Sequence, residues 1–244
     1  MHLDLLMPEW DGPAYDALPL PHQEWGKRTI AALNLQPSET LLDAGCGTGR
    51  DAQVALETLT SGNLICVDQS RTMLDQCRAA IGADPRVTIA QGDLDSPLPV
   101  EPNSVDAIMS VAALHWLADH SNVWNNFFTA LKPGGRLATD AGGFGNLKQT
   151  LDLALELFPE TSFPSWYYAN IEDTTSLLVK SGFTNVEVEL RPHPTVLPSY
   201  KTLVTYLQTL VFRDWPLNQI ETLAKAMTDN TLDYVRLEVR ATKP

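Results

Sequence analysis

The stretch Leu41-Leu42-Asp43-Ala44-Gly45-Cys46-Gly47-Thr48-Gly49-Arg50 joins an acid at the end of a short apolar strand to a glycine-dense turn. Glycine has no Cβ and tolerates positive φ, so such a turn lets backbone and ligand approach closely. The acid at the strand tip suits a ligand that carries positive charge better than one that carries phosphate. Two more acids end apolar runs further on: Asp68 after Ile65-Cys66-Val67, and Asp93 in Gln91-Gly92-Asp93-Leu94. A carboxylate has acceptors on two oxygens and can take both hydroxyls of a ribose, the chemistry expected of Asp68. Asp93 can accept from an exocyclic amine while Leu94 covers a ring. The unperturbed pKa of a histidine side chain lies near neutrality, which makes His115 a candidate general base. Trp116 beside it can wall a pocket or donate from its indole nitrogen.

The elements that must carry these residues alternate. Strands are expected at Thr40–Asp43, Asn63–Val67, Val87–Ala90, Val105–Ser110 and Arg136–Thr139. Helices are expected at Trp25–Leu35, Asp51–Leu59, Arg71–Ile81 with Ser70 as N-cap, and Val123–Leu131. This order argues for an α/β fold with a mostly parallel sheet covered on both faces. In such a sheet the ligand crevice lies beyond the carboxyl ends of the strands, where Asp43, Asp68 and Asp93 all fall. Later helices are expected at Leu147–Phe158, Asp173–Ser181, Leu203–Val211 and Leu217–Met227, with alternating strands at Asn185–Arg191 and Tyr234–Thr242.

The glycine spacing narrows the ligand. A dinucleotide fingerprint, G-x-G-x-x-G, needs its third glycine where Arg50 stands. Here it comes early, at Gly49, giving Asp-x-Gly-x-Gly-x-Gly. That pattern resembles the first motif of class I S-adenosylmethionine (SAM)-dependent methyltransferases, whose cofactor has a cationic amino group. Leu114-His115-Trp116, Leu131-Lys132-Pro133-Gly134-Gly135-Arg136, Asp140-Ala141-Gly142-Gly143-Phe144-Gly145-Asn146 and Trp166-Tyr167 are similar to the trans-aconitate methyltransferase-like group within it. The similarity runs from about Trp25 to Thr195. Relatives usually read Glu-Phe-Gly-Gly-Lys-Gly-Asn at 140–146 and Pro-Trp-Tyr-Phe-Pro-Ser at 165–170. This chain departs at both, near the expected acceptor site.

The resemblance implies a Rossmann-like seven-stranded, mostly parallel sheet whose last strand is antiparallel, with a helical cap inserted late in the chain. Residues 1–24 would form an N-terminal arm or lid and 25–244 the SAM-binding core, with 144–182 and 199–230 contributing the cap. It implies SAM as cofactor, with S-adenosylhomocysteine as product, held by Asp43, Gly45, Cys46, Gly47, Gly49, Asp68, Gln69, Met73, Asp93, Leu94 and Ser110. In similar enzymes the N-terminal arm closes over the cofactor, so Tyr15 would stack near its methionine end and Trp25 would line the cleft. His115 and Trp116 would stand at the acceptor. The cap is aromatic, with Trp166, Tyr167, Tyr168, Tyr200, Tyr206, Phe212 and Trp215. It is therefore expected to roof a small apolar or aromatic acceptor and to favour O-methylation. Lys201 and Arg213 are its candidate anion anchors. The alternative is a SAM-binding enzyme that transfers no methyl group, such as a cyclase on the same scaffold.

Composition excludes other classes. The chain has 244 residues, 44% hydrophobic and 19% charged, the balance of an ordinary globular protein of one domain with additions. A net charge of −13 repels phosphate backbones, so nucleic acid is not an expected partner. No run approaches the ~18 apolar residues of a membrane span. Met1 to Pro8 lacks the basic and apolar regions of a secretory signal, so cytoplasmic residence is expected. The three cysteines, Cys46, Cys66 and Cys77, have no metal-like spacing and are read as small apolar core residues, with no metal expected.

Overall fold

A computed structural model describes residues 10–18, 22–163 and 166–244, the side chains of His22 and Gln23 excepted. Met1 to Pro8 and Ser165, both considered above, lie outside the described residues. Nine strands form among the described residues: β1 Thr40–Ala44, β2 Asn63–Asp68, β3 Val87–Gln91, β4 Val105–Val111, β5 Leu131–Gly142, β6 Thr184–Pro192, β7 Thr195–Val196, β8 Thr231–Leu232 and β9 Val235–Thr242. The helices are α1 Gly12–Asp16, α2 His22–Leu33, α3 Arg50–Thr58, α4 Arg71–Ile81, α5 Ser121–Ala130, α6 Lys148–Leu157, α7 Ile171–Lys180, α8 Tyr200–Tyr206 and α9 Leu217–Ala226. A 3-10 turn spans Leu114–Trp116, and α8 runs into a π-helical turn at Leu207–Val211.

The main sheet has the order β3-β2-β1-β4-β5-β9-β6. β1 to β5 pair in parallel; β9 runs antiparallel between β5 and β6. This is the expected seven-stranded architecture. Each central strand feeds both layers. Leu42 packs with Ile108, Trp124 and Phe127 under α5, while Leu41 packs with Ala52, Ala55 and Leu74 under α3 and α4. Both faces of β1 are thereby dry, which is why its sequence is a continuous apolar run up to Asp43. No helix among the described residues is long and apolar enough to cross a membrane.

Two differences from the sequence expectation have local causes. Lys132-Pro133-Gly134-Gly135 does not separate α5 from a strand beginning at Arg136. β5 starts at Leu131 and takes these residues as an irregularity, since the pairing with β4 jumps from Val105–Leu131 to Ala107–Arg136, and Gly134 supplies a φ of 79°. The α6, α8 and α9 helices pack on one another in a second apolar core with Leu147, Tyr206, Phe212 and Trp215. By contrast, α7 buries Leu178 in the main core beside Phe127 and Phe183. The stretch 144–182 is thus divided between the two cores.

Candidate active site

The turn after β1 is built on positive φ: 80° at Gly45, 54° at Gly47 and 82° at Gly49. A side chain is strained at each. At Gly45 it would also collide, since a Cβ would lie 2.4 Å from the Ala113 Cβ. The turn is tied across to β2. Gly45 and Cys46 donate to the Val67 carbonyl at 2.7 and 3.0 Å, and Gly47 N–H donates to Asp68 Oδ2 at 2.9 Å. Asp68 Oδ1 accepts from Ser70 N–H at 2.9 Å, so the carboxylate is fixed by the chain on both sides.

Three compartments meet over the carboxyl ends of β1, β2 and β4. The first, about 740 Å³, is lined by Gly45, Gly47, Asp68, Gln69, Met73, Gly92, Leu94, Ala113 and Leu117. The second, about 410 Å³, is lined by Asp43, Gly45, Cys46, Gly47, Thr48, Arg50 and Asp51. The third, about 450 Å³, is lined by His115, Trp116, Asn146, Leu147, Trp166, Tyr168, Leu210, Val211, Tyr234 and Arg236. Tyr15 and Ala112 line all three. Ala112 sits at φ 56°, a strained value for a residue with a Cβ, and its N–H donates to the Asp140 carbonyl at 2.7 Å. Such strain costs on the order of 1–3 kcal/mol and persists where the surroundings impose it.

The arm closes this junction. Asp16 accepts from Thr48 Oγ1 at 3.1 Å and pairs with Arg50 at 2.9 Å, so α1 is latched to the glycine turn. Gly12 packs closely on α4, where a Cβ would lie 3.0 Å from the Thr72 carbonyl oxygen. Trp10 meets Trp116 edge-on at 5.0 Å, and the Arg213 guanidinium lies 3.9 Å over Trp10. Arg213 thus covers the outer side of the aromatic roof. Lys201, on the exposed side of α8, lies away from the compartments.

The second compartment is acidic. Asp43 is 2% exposed and its Oδ2 has no hydrogen-bond partner. Burial, reinforced by the charge of Asp51, pushes its carboxyl well above the usual range. Burial likewise raises Asp51 to about 6 against the opposing pull of Arg50, and raises Asp68 against the two N–H groups it accepts. A buried carboxylate oxygen without a partner is what a cationic amino group would satisfy.

For Asp51 the linkage has a definite sign. The folded state holds its proton up to about pH 6, while the unfolded chain loses it near 3.8. This group therefore lowers stability as pH rises from about 4 to 6, by about 3 kcal/mol once complete. Asp51→Asn is expected to raise stability by up to that amount at pH 7 and by little at pH 4. Urea unfolding at the two pH values checks this; an equal gain at both would contradict it.

The third compartment holds groups that the sequence reading passed over. Arg236 is 1% exposed and donates from Nε to Asp140 Oδ1 at 2.7 Å and from its second arm to the Asp140 carbonyl at 3.2 Å. Asp140 is also 1% exposed and pairs with Arg28 at 2.8 Å, which pairs with Glu238 at 2.7 Å. Trp25 does not line the cleft. It is fully buried under the Arg236 guanidinium, 3.7 Å from it, and holds that side chain from behind. The Gly142 N–H donates to His115 Nδ1 at 3.3 Å. A neutral ring accepting there carries its own proton on Nε2.

Three more expected contacts take other places. Ser110 is buried in β4 with its Oγ unpartnered, outside the compartments. Gly49 packs on α4, where a Cβ would lie 2.8 Å from Cys77 Sγ. Asp93 Oδ1 accepts from Asp95 N–H at 3.0 Å, and its neighbours Gly92 and Leu94 form the wall instead. Cys46, Cys66 and Cys77, distant in sequence, bring all three sulfurs within 4.8 Å of one another.

An open α/β sheet with a glycine cradle and a ribose-suited acid at adjoining strand tips defines a nucleoside-cofactor enzyme of the Rossmann-like class. A family profile described as "Methyltransferase domain" matches residues 42–139. The chain is 32% identical to trans-aconitate 2-methyltransferase from Azoarcus sp. over 54% of this chain and 50% of that enzyme, so the match spans half of that relative. It is 30% identical to an uncharacterized methyltransferase of Schizosaccharomyces pombe over 70% of this chain and 69% of that protein. Among solved structures, Haemonchus contortus phosphoethanolamine N-methyltransferase 2 in complex with S-adenosyl-L-methionine shares the fold at a TM-score of 0.63 and 22% identity, over 91% of this chain and 52% of that one. The chain belongs to the SAM-dependent methyltransferases.

Proposed function

We propose that this enzyme transfers the methyl group of SAM to an oxygen of a small cytoplasmic acid with an apolar or aromatic body. The observation that carries the reading is the convergence of the three compartments on Ala112 and Tyr15. On this reading Asp68, Gln69, Met73 and Leu94 hold the adenosine. Asp43, with its unpartnered oxygen, takes the amino group over the cradle of Gly45, Cys46 and Gly47. Residues 10–18 of the N-terminal arm act as a lid, latched through Asp16. The bound sulfonium supplies an electrophilic methyl group, so the protein's task is alignment and exclusion of water.

Three features support an acidic acceptor. Trp116, Trp166 and Tyr168 give the third compartment apolar walls, with Trp166 and Tyr168 stacked at 5.9 Å. Arg236 lines the same compartment, and the guanidinium N–H groups not held by Asp140 can donate to a carboxylate. His115, with Nδ1 occupied by Gly142, is set to donate from Nε2 and so to orient an oxygen that is already ionised. A carboxylate needs no base at neutral pH. The acceptor named for the Azoarcus relative is also a carboxylic acid.

His115→Ala is then expected to raise KM for the acceptor by about tenfold, the worth of about one charge-assisted hydrogen bond. The pH dependence of kcat should stay unchanged between pH 6 and 8. Loss of a kcat limb near neutrality in the variant would instead make His115 a general base.

A further inference from the structure

We propose that Cys46, Cys66 and Cys77 form a trithiolate site for a thiophilic divalent cation of the Zn2+ or Cd2+ type, and that its occupancy opposes cofactor binding. The sulfurs come from three elements: the glycine turn, β2 and α4. All lie within 4.8 Å of one another, and all three residues are buried. A metal–sulfur bond of about 2.3 Å places three sulfurs around one ion roughly 4 Å apart, so less than about 1 Å of contraction completes the site. Thiolate is the ligand such ions prefer. Cys46 lines the compartment that also holds Asp43, which gives an ion a route inward.

Binding exchanges the thiol protons present, released to solvent, for three metal–sulfur bonds, with no change of oxidation state. Cys46 couples the sulfur cluster to the glycine turn. It stands between Gly45 and Gly47, whose N–H groups donate to Val67 and Asp68. Drawing its sulfur toward Cys77 strains this turn, and an ion and a cofactor that need different turn geometries weaken each other equally. This antagonism rests on the turn holding SAM; the metal site does not.

The test is a titration of the reduced protein with Cd2+, followed by sulfur-to-metal charge-transfer absorption and by equilibrium dialysis. One Cd2+ per chain is expected, with loss of the band in both Cys66→Ala and Cys77→Ala. Cys66→Ala should still bind S-adenosylhomocysteine. Saturating S-adenosylhomocysteine should weaken Cd2+ uptake about tenfold in the wild type. Absence of the band at one equivalent, or its survival in either folded variant, overturns the site. If a variant fails to fold, the 113Cd NMR shift of the Cd2+-loaded wild type decides: a shift in the range of all-thiolate coordination supports the site, and one in the range of oxygen and nitrogen ligands overturns it. Uptake that S-adenosylhomocysteine binds without affecting overturns the antagonism. If S-adenosylhomocysteine does not bind at all, the cofactor reading fails while the metal result stands.

Discussion

Asp68→Ala is expected to weaken SAM binding by about 100-fold or more while the protein stays folded. The carboxylate's oxygens are held at 2.9 Å by Gly47 N–H and Ser70 N–H, so it meets a ligand without reorganising. Losing hydrogen bonds between a charged group and two hydroxyls costs about 3 kcal/mol, roughly that factor in Kd. The two freed N–H groups add a loosened glycine turn to the loss. Asp93→Ala should cost less than about tenfold, because its side chain is turned to Asp95 and off the cleft wall. Calorimetric titration of both variants measures the contrast. Equal losses would mean that the two acids share the cofactor.

Arg236→Met is expected to do two things. Asp140, buried and left with Arg28 alone, becomes an under-compensated charge, at a cost of about 3 kcal/mol. For a chain of this size that lowers Tm by roughly 6–12 °C. The acceptor compartment also loses its buried cation, so KM for an acidic acceptor rises while the Kd for SAM is unchanged. Pairing the change with Asp140→Leu should recover part of the stability, because removing both charges also removes their desolvation cost. It should recover none of the acceptor affinity. A variant that keeps KM but loses stability would make Arg236 purely structural.

The difference between these two residues shows what the sequence could and could not reveal. Asp68 was legible because a strand tip followed by a helix cap fixes where an acid must point, whatever the rest of the fold does. Asp43 and the glycine turn were legible for the same reason. Arg236 was not. In Val235 to Ala241 the polar residues alternate with apolar ones, and alternation reads as a strand with one wet face. But β9 lies between β5 and β6, and its Arg236 and Glu238 face is covered by Trp25 and Arg28 of α2. Buried ion pairs replace water there, which period-two patterning cannot distinguish from exposure. Trp25 shows the same ambiguity: an aromatic residue ahead of the core can line a cleft or back a guanidinium, and only the tertiary partner decides. The cysteine cluster was illegible because its members meet through sheet pairing and helix packing, with no local spacing to betray them.

The most direct test is a crystal structure with S-adenosylhomocysteine. The ribose hydroxyls are expected on Asp68, the amino group on Asp43 and the sulfur at the junction of Ala112 and Tyr15, facing the compartment of His115 and Arg236. A ligand seated elsewhere, or with its sulfur turned away from that compartment, would contradict this placement.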